Sequence, residues 1–450
     1  MLSTARLDLL IKNGTVVTMN PGREVLAGVD VHVREGRIAR IGKRLRVKDS
    51  HRVLDVAGMV VLPGFIHGHL HACQTLFRNR ADGLELLDWL RERIWPFEGA
   101  HDARSLRASA DLTFAELIRS GSTAALDMGT VQHTDAIFES ARDCGFRLTG
   151  GKAHMDLGPD LPKGLRETTA ESLAEALRLL KVWHGAEGGR LRYAFAPRFV
   201  LSCTRELLEE VARLSKTLGV RIHTHASENP TECKVVRERV GQDNVAYFHA
   251  LGMTGPHVTL AHCVWLTDEE RLLLRETGTV VCHCPSSNLK LASGIAPIPE
   301  YLEQGLHVCL GADGAPCNNN LDMFTEMRLA ALVHKPRRGP LAMHADRVLE
   351  MATRGGARAL GLEAEIGSLE VGKRADVTVV DLRGPHAVPS SDDVVAQLVY
   401  SGQATDVQHV VIDGRLVMRD RVLLTLDLDA VAARAVEHGK RIARKVLKGN

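Results

Sequence analysis

Short apolar runs alternate with amphipathic helical patterns through the middle of the chain. Helical patterns such as 172–183, 205–218 and 268–277 separate apolar runs rich in β-formers. This alternation is typical of repeated β/α units, and eight such units close into a barrel. Eight runs are present, at 61–66, 123–128, 147–154, 192–197, 220–225, 258–262, 279–283 and 307–313. The sequence therefore predicts an α/β fold with a (β/α)8 TIM-like barrel over residues 62–364.

Both chain ends have a different texture, with short strand patterns broken by turn signals. The N-terminal part has a turn signal at 20–22, and the C-terminal part has one at Asp413-Gly414 between apolar stretches. Alternating apolar residues with such turns are typical of hairpins. We predict a small β-sandwich subdomain built from residues 1–61 and 365–450 together.

Histidines and an aspartate follow several of the predicted barrel strands. His69 and His71 end the first run, His225 the fifth and His262 the sixth, while Asp313 ends the eighth. Residues two apart on a strand share a face, and a barrel of this type places its active site at the carboxyl ends of its strands. One such histidine alone is more often structural. Three imidazoles and a carboxylate together indicate a divalent transition metal that acidifies a water molecule.

Charge and composition limit the kinds of partner that we expect for this protein. Lysine plus arginine number 57 against 55 acidic residues, and aromatic residues are only 4%, which disfavours a nucleic-acid partner. No apolar run is long enough for a membrane helix, and the N-terminus lacks the features of a signal peptide. The nine cysteines contain no Cys-x-x-Cys pair, so disulfides are not expected. We expect a cytoplasmic protein with a small-molecule substrate and no membrane partner.

These motifs together resemble the amidohydrolase superfamily, and within it the deaminase and chlorohydrolase branch. The resemblance extends over nearly the whole chain and is carried by the segments 61–71, 225–228, 261–263 and 311–314. It implies that His69, His71, His225 and Asp313 hold one divalent metal ion, usually zinc, with iron as the alternative. His67 stands where relatives more often have a small polar residue, and we do not assign it as a ligand.

The same resemblance implies catalytic roles. Glu228 matches the family's proton shuttle, His262 matches the residue that hydrogen-bonds the attacking hydroxide, and Asp313 would help to move a proton to the leaving ammonia. Relatives with two metals use a carboxylated lysine at the end of strand four. This chain has Ala196-Pro197-Arg198 there, which favours one metal.

On the substrate side, parts of the chain resemble the methylthioadenosine, S-adenosylhomocysteine and 5'-deoxyadenosine deaminases. The matching segments are 72–98, 285–294 and 318–324. In those families the tryptophan that matches Trp89 lines the nucleoside pocket, and the glutamate that matches Glu98 binds ribose hydroxyls. From the sequence pattern alone, a helix that packs Trp89 into its apolar face is an equal alternative.

The chain departs from those families at strand four, where Arg198 replaces a common histidine. Together with 155–157 this stretch resembles guanine deaminase, and Gln74 matches the second base-reading residue of that family. Arginine and glutamine can each make paired hydrogen bonds to a purine edge. We find no counterpart for the basic residues that hold an amino-acid carboxylate, which disfavours S-adenosylhomocysteine.

The interpretation is a hydrolase of non-peptide C–N bonds, acting on cyclic amidines. It would remove an exocyclic amino group as ammonia from a purine nucleoside of the 5'-deoxyadenosine or methylthioadenosine type, by metal-hydroxide attack. Three alternatives stay open: a guanine deaminase, a triazine-type chlorohydrolase and a non-catalytic binding protein on the same frame. The sequence does not give the oligomeric state, although relatives commonly form homo-oligomers, so a homo-oligomer is possible.

Overall fold

Two nine-stranded sheets organise the part of the chain that the computed structural model describes, residues 8–47, 52–158 and 161–448. The remaining positions, which include parts of both predicted terminal segments, lie outside the described residues. The first strands are β1 (Leu9–Val17), β2 (Val25–Arg34), β3 (Arg37–Gly42), β4 (Arg52–Asp55) and β5 (Val60–Pro63). The barrel strands are β6 (Phe65–Leu70), β7 (Ser122–Met128), β8 (Arg147–Gly151), β9 (Ala153–His154), β10 (Leu191–Pro197), β11 (Arg221–Ala226), β12 (Val258–His262), β13 (Val280–His283) and β14 (His307–Leu310). The last strands are β15 (Val377–Val380), β16 (Val407–Ile412), β17 (Arg415–Arg419) and β18 (Val422–Leu423).

The chain ends share one sheet, as the sequence predicts. Its order is β18-β17-β16-β15-β5-β1-β2-β3, with β4 also paired to β1. The antiparallel pair β15 and β5 joins the C-terminal strands to the N-terminal ones. Apolar side chains from both ends, among them Val31, Val33, Val377 and Val379, form a buried cluster of their own. The predicted sandwich is thus one continuous hydrogen-bonded sheet with a separate core.

The second sheet is a nearly closed parallel barrel. Its order is β14-β13-β12-β11-β10-β8-β7-β6, with β9 paired to β10. The first and last strands meet through a single parallel bridge between Leu70 and Asp313, where the Asp313 amide lies 3.3 Å from the His69 carbonyl oxygen. Eight parallel strands with intervening helices confirm the predicted α/β barrel.

The first predicted barrel strand, at 61–66, is wrong as a single element. Val60–Pro63 pairs with β1 and β15 in the end sheet, and the barrel strand Phe65–Leu70 starts only after Gly64. A β-carbon on Gly64 would lie 2.1 Å from Thr123 Cγ2, so the change of sheet takes place at a glycine that packs directly against the Thr123 side chain. The sequence of a continuous apolar run does not show that its first part pairs with strands of one sheet and its second part with strands of another.

Two other runs end differently from the prediction. The run 147–154 is interrupted at position 152 and forms β8 and β9. The strand within 307–313 ends at Leu310, and Asp313 lies beyond it with a left-handed φ of 60°. This conformation is costly for a residue other than glycine and is concentrated at functional sites.

Helices cover the barrel and connect its strands. They are α1 (Leu86–Trp89), α2 (Trp95–Glu98), α3 (Ala103–Arg119), α4 (Asp135–Cys144), α5 (Thr169–Trp183), α6 (Ala186–Gly189), α7 (Arg205–Leu218), α8 (Pro230–Val240), α9 (Asn244–Ala250), α10 (Asp268–Thr277), α11 (Pro285–Lys290), α12 (Ile298–Glu303), α13 (Ala315–Asn318), α14 (Met323–Leu332), α15 (Lys335–Arg338), α16 (Ala345–Glu350), α17 (Gly356–Ala359), α18 (Val394–Tyr400) and α19 (Leu428–Lys448). Short 3₁₀ turns lie at Ala72–Phe77, Lys163–Leu165, Val200–Ser202 and Ala404–Asp406, and π-turns at Leu90–Ile94 and Met351–Gly355. Among the described helices, none is long and apolar enough to cross a membrane.

Capping residues explain where the barrel helices begin and end. Thr267 caps α10 in a reciprocal capping box with Glu270, and Gly278 ends the helix in the left-handed conformation. The α7 helix likewise begins after Thr204 and ends at Gly219. These are the local signals that hydroxyl residues and glycine supply at helix ends.

Buried charges link the two sheets, and the C-terminal helix packs against the barrel helix α3. Arg147 at the start of β8 forms two hydrogen bonds to Asp376, of 2.6 and 2.9 Å. The α19 helix contacts α3 through ion pairs of Arg434 with Asp111 and of Arg441 with Asp102. The predicted domain boundaries, 62–364 against 1–61 with 365–450, stay a prediction.

Candidate active site and metal centre

The four predicted metal ligands converge at the carboxyl end of the barrel. His69 lies on β6, His71 follows it, His225 lies on β11, and Asp313 follows β14. One ligand atom from each residue lies within 4.8 Å of the others. The Nε2 atom of His69 is 3.2 Å from Asp313 Oδ1, and the Nε2 atoms of His71 and His225 are 3.2 Å apart. The parallel strands therefore bring together side chains that are far apart in sequence.

Hydrogen bonds behind the cluster orient its imidazoles. His71 Nδ1 lies 2.8 Å from the Met128 carbonyl oxygen, and His225 Nδ1 lies 2.6 Å from that of Arg198. A carbonyl oxygen only accepts, so Nδ1 carries the proton in both rings and Nε2 keeps a lone pair toward the cluster. This is the arrangement in which a histidine binds a metal ion.

His223 is a supporting residue that the sequence analysis did not assign. Its Nε2 lies 2.7 Å from Nδ1 of His69. It is two residues before His225 on β11, so both histidines lie on the same face of the strand. That spacing was the available signal, because it repeats the pattern of His69 and His71.

Burial sets the protonation states of the cluster. It lowers the pKa of His71 to about 4 and also lowers the pKa of His69 and His225. Burial opposes the charge of Asp313, but His69 and the nearby histidines hold the pKa of this carboxyl well below its usual range. Neutral imidazoles and an ionised carboxylate are the forms that bind a metal ion. The donor set of three nitrogens and one oxygen fits a divalent transition metal with an open position.

Glu228 and His262 lie beside this cluster. Glu228 Oε2 is 3.4 Å from His262 Nε2, which in turn is 3.8 Å from Asp313 Oδ2. Nδ1 of His262 lies 2.8 Å from Asn288 Oδ1, while its Nε2 has no hydrogen-bond partner among the described residues. Burial raises the pKa of Glu228 to about 7. A carboxyl group with such a pKa can both take up and release a proton near neutrality.

The α11 segment supports these residues. Ser287 Oγ donates a 2.7 Å hydrogen bond to Asp313 Oδ2, and Ser293 Oγ donates one of 3.3 Å to Glu228 Oε1. From the sequence, the segment 285–294 is predicted only to take part on the substrate side. Its position directly after β13 was the signal for this second role, since every barrel strand ends at the same face.

A small cavity of about 30 Å³ lies against the cluster. Its wall combines site residues with an apolar cover and consists of His71, Gln74, Leu86, Trp89, Leu90, Arg198, Phe199, His225, Glu228, His262, Leu291 and Asp313. A space of this size admits roughly two water molecules, whereas ligand pockets usually measure roughly 300 Å³ or more. In this conformation the cavity is therefore smaller than a purine.

The predicted substrate residues occupy two layers. Gln74, Trp89 and Arg198 line the cavity, and the indole nitrogen of Trp89 has no hydrogen-bond partner among the described residues. Glu98 is not one of the described residues that line the cavity. It lies behind them, where Arg198 Nη1 donates a 2.6 Å hydrogen bond to its Oε2.

The sequence of this chain matches the model of the amidohydrolase family over residues 60–417. The chain belongs to the amidohydrolase family. It is 43% identical to a 5-methylthioadenosine/S-adenosylhomocysteine deaminase from Syntrophobacter fumaroxidans, over 99% of this chain and all of the relative. It is 38% identical to a 5'-deoxyadenosine deaminase from Methanosarcina acetivorans, over 95% of this chain and 96% of the relative.

Several solved structures have the same fold as this chain. A zinc-bound adenosine deaminase from Xanthomonas campestris aligns with a TM-score of 0.91 at 32% identity, over 97% of this chain and 99% of the other. An atrazine chlorohydrolase from Arthrobacter aurescens in complex with zinc aligns with a TM-score of 0.90 at 27% identity, over 96% of this chain and 100% of the other. The guanine deaminase of E. coli aligns with a TM-score of 0.81 at 30% identity, over 92% of this chain and 99% of the other. The predicted family and its hydrolase class, which acts on C–N bonds, are confirmed.

Proposed function

We propose that this amidohydrolase is a metal-dependent deaminase that releases ammonia from a purine nucleoside of the 5'-deoxyadenosine or methylthioadenosine type. The names of the relatives at 38% and 43% identity support this substrate class. The observation that carries the proposal is the position of Glu228 beside the four-residue cluster, 3.4 Å from His262. A proton shuttle next to a set of metal ligands is what hydrolysis of a cyclic amidine requires.

His69, His71, His225 and Asp313 would hold one ion, which we propose is zinc because the solved adenosine deaminase and chlorohydrolase contain it. When bound, a divalent ion would lower the pKa of a water molecule towards neutrality and so supply the nucleophile. The hydrogen bonds that His71 and His225 donate to the carbonyl oxygens of Met128 and Arg198, and the one between His69 and His223, hold the three rings in place for it.

The protein residues move the protons. Glu228 takes a proton from the attacking water at Oε2 and delivers it to the ring nitrogen next to the carbon under attack. His262 Nε2, which has no hydrogen-bond partner among the described residues, holds the attacking oxygen in line. Asp313 accepts the remaining proton and passes it towards the leaving ammonia, while Ser287 keeps this carboxylate oriented. The apolar cover keeps bulk water out once the substrate is bound.

A free oxopurine base such as guanine is the second candidate substrate. Arg198 and Gln74 both line the cavity, and this pair resembles the base-reading pair of guanine deaminases. The solved guanine deaminase shares the fold at 30% identity. A comparison of purine nucleosides with guanine therefore decides between the two candidates.

The variant Glu228→Gln tests the observation that carries the proposal. It keeps the size of the side chain but cannot shuttle a proton, so we expect kcat to fall by about a thousandfold or more, since proton transfer contributes about 10²–10⁴-fold. Bound metal should stay near the wild-type amount. The control is Glu238→Gln on the α8 helix that follows Glu228, where the carboxylate is exposed. Retained turnover in Glu228→Gln would remove Glu228 from this role.

A further inference from the structure

Glu98 is a fully enclosed carboxylate that accepts hydrogen bonds from three side-chain nitrogen atoms. Arg198 Nη1 donates to its Oε2 at 2.6 Å, Arg198 Nη2 donates to its Oε1 at 3.2 Å, and Gln74 Nε2 donates to Oε1 at 2.8 Å. Its residue exposure is only 2%. Glu98 therefore binds the two residues that face the cavity.

These hydrogen bonds decide what Gln74 presents to a ligand. A carboxylate only accepts, so the amide nitrogen of Gln74 must face Glu98. The amide oxygen is then fixed on the other side, where it is buried and has no hydrogen-bond partner among the described residues. Since Gln74 lines the cavity, this oxygen is available to accept from an N–H or O–H group of a substrate.

The same carboxylate neutralises Arg198. Both side chains are buried, and a buried guanidinium without a counter-ion would be strongly destabilising. The two hydrogen bonds to Glu98 use one N–H on each terminal nitrogen, and Nη1 also lies 3.6 Å from Met155 Sδ, so the second N–H of Nη2 is left for an acceptor on the ligand. Gln74 and Arg198 thus offer the cavity one acceptor and one donor from a single connected group.

We propose that Glu98 is a positioning residue that fixes Gln74 and Arg198 for recognition of a heterocycle edge, and is not a direct ligand of the ribose hydroxyls. The substrate edge would carry an N–H or O–H donor towards Gln74 and a ring nitrogen or carbonyl acceptor towards Arg198. This role rests on the proposed function, because it requires a heterocyclic substrate in this cavity. It replaces the ribose role that the sequence resemblance implies for Glu98.

A pair of substrates separates the two roles of Glu98. Adenosine and 2',3'-dideoxyadenosine differ only in the ribose hydroxyls, and each is assayed with the wild type and Glu98→Gln. We expect KM to rise by about 10- to 100-fold for both nucleosides, the factor for loss of a charge-assisted hydrogen bond, with a smaller change in kcat. A rise for adenosine alone would show direct contact with the hydroxyls and overturn the proposal.

The control substitution is Glu116→Gln. Glu116 also pairs with an arginine, Arg78, but this pair is half-buried and lies outside the cavity. We expect this variant to lower the unfolding midpoint without changing KM. If Glu116→Gln raised KM as much as Glu98→Gln, the effect would be one of general stability, which would also overturn the proposal.

A second measurement does not need turnover. Unfolding midpoints are compared for the ligand-free wild type, Glu98→Gln, Arg198→Met and the double variant. If Glu98 holds Arg198 before substrate binds, the unfolding midpoint of the double variant falls by clearly less than the sum of the decreases in the two single variants. Additive losses would overturn the proposal. Failure of the wild type to release ammonia from either nucleoside would instead refute the proposed function, and the unfolding cycle would still decide the role of Glu98.

If Glu98→Gln does not fold, Arg198→Gln is compared with the double variant Glu98→Gln/Arg198→Gln. The double variant leaves no unpaired buried charge. We expect the second substitution to add less than a threefold change in KM for either nucleoside, because Glu98 acts largely through Arg198. If the added Glu98→Gln substitution raised KM further for adenosine but not for 2',3'-dideoxyadenosine, this would contradict the proposal.

Discussion

Two glutamates four residues apart have different surroundings at the mouth of the barrel. Glu228 lines the cavity, whereas Glu232 lies behind it, with its Oε2 accepting a 3.1 Å hydrogen bond from the Glu228 amide. Oε1 of Glu232 is buried and has no hydrogen-bond partner among the described residues. Burial, with the nearby charge of Glu228, raises the pKa of Glu232 to about 7. Glu232 therefore takes up a proton on folding near neutral pH.

This proton makes the stability of the protein depend on pH. The pKa of Glu232 rises from 4.5 to about 7 on folding, so its contribution is complete below the unfolded value and is lost as the pH rises through about 7. Glu232→Gln has no such titration. We expect the difference in unfolding midpoint, Glu232→Gln minus wild type, to rise by a few degrees between pH 5 and pH 8. A difference between the two proteins that does not change with pH would contradict this.

Single residues of the site were predictable where strand ends and motifs coincide. His69, His71, His225 and Asp313 follow apolar runs, so their convergence could be expected from barrel geometry. The position of Glu98 behind Gln74 and Arg198 could not, because a contact between residues 100 positions apart has no local signal.

At the level of elements, the C-terminal helix supports the substrate side of the barrel. Ile442 and Ala443 of α19 share a buried cluster with Leu76, Phe77 and Phe97. Phe77 and Phe97 lie in the same short elements as Gln74 and Glu98. The helix therefore packs against the base of the segment that carries these two substrate-side residues.

Truncation of this contact should destabilise the protein. Ile442→Ala removes a nearly fully buried side chain, and such a change costs about 2–5 kcal/mol of the free energy of unfolding. Val436→Ala on the same helix is the control, since Val436 is 56% exposed. Chemical denaturation measures both variants. Equal losses for the two would show that α19 does not pack as described.

The strand count was predictable, but the beginning of the first barrel strand was not. Periodicity and length indicate a buried strand without naming its neighbours. The apolar run that begins at Val60 passes from the end sheet into the barrel at Gly64, and only the tertiary structure shows this change.

Across the whole molecule, a buried ion pair connects the barrel to the end sheet. Arg147 lies at the start of β8, and Asp376 directly precedes β15. Asp376 also accepts a 2.7 Å hydrogen bond from the Asp413 amide. Burial opposes the charge of Arg147, but Asp376 and Asp413 raise its pKa above the usual value. The pair joins segments that are far apart in sequence.

Removal of Asp376 takes away its two hydrogen bonds with the buried Arg147 and leaves this guanidinium the longer, 3.5 Å contact with Asp413. We expect Asp376→Asn to lower the free energy of unfolding by about 3–5 kcal/mol, with metal content and KM unchanged in the folded protein. Asp381→Asn is the control, because its partner Arg383 is exposed and such pairs contribute about 1 kcal/mol or less. An unaltered unfolding curve for Asp376→Asn would show that this pair does not link the two sheets.

Ammonia release by the zinc-loaded protein tests the central claim most directly. The substrates are 5'-deoxyadenosine, methylthioadenosine, S-adenosylhomocysteine, adenosine and guanine, each with a chelator-treated control that is restored by zinc. We predict metal-dependent release with the highest kcat/KM for 5'-deoxyadenosine or methylthioadenosine. Preference for guanine would contradict the proposed nucleoside substrate, and release that survives removal of the metal, or no release from any of the five, would contradict the account of the site.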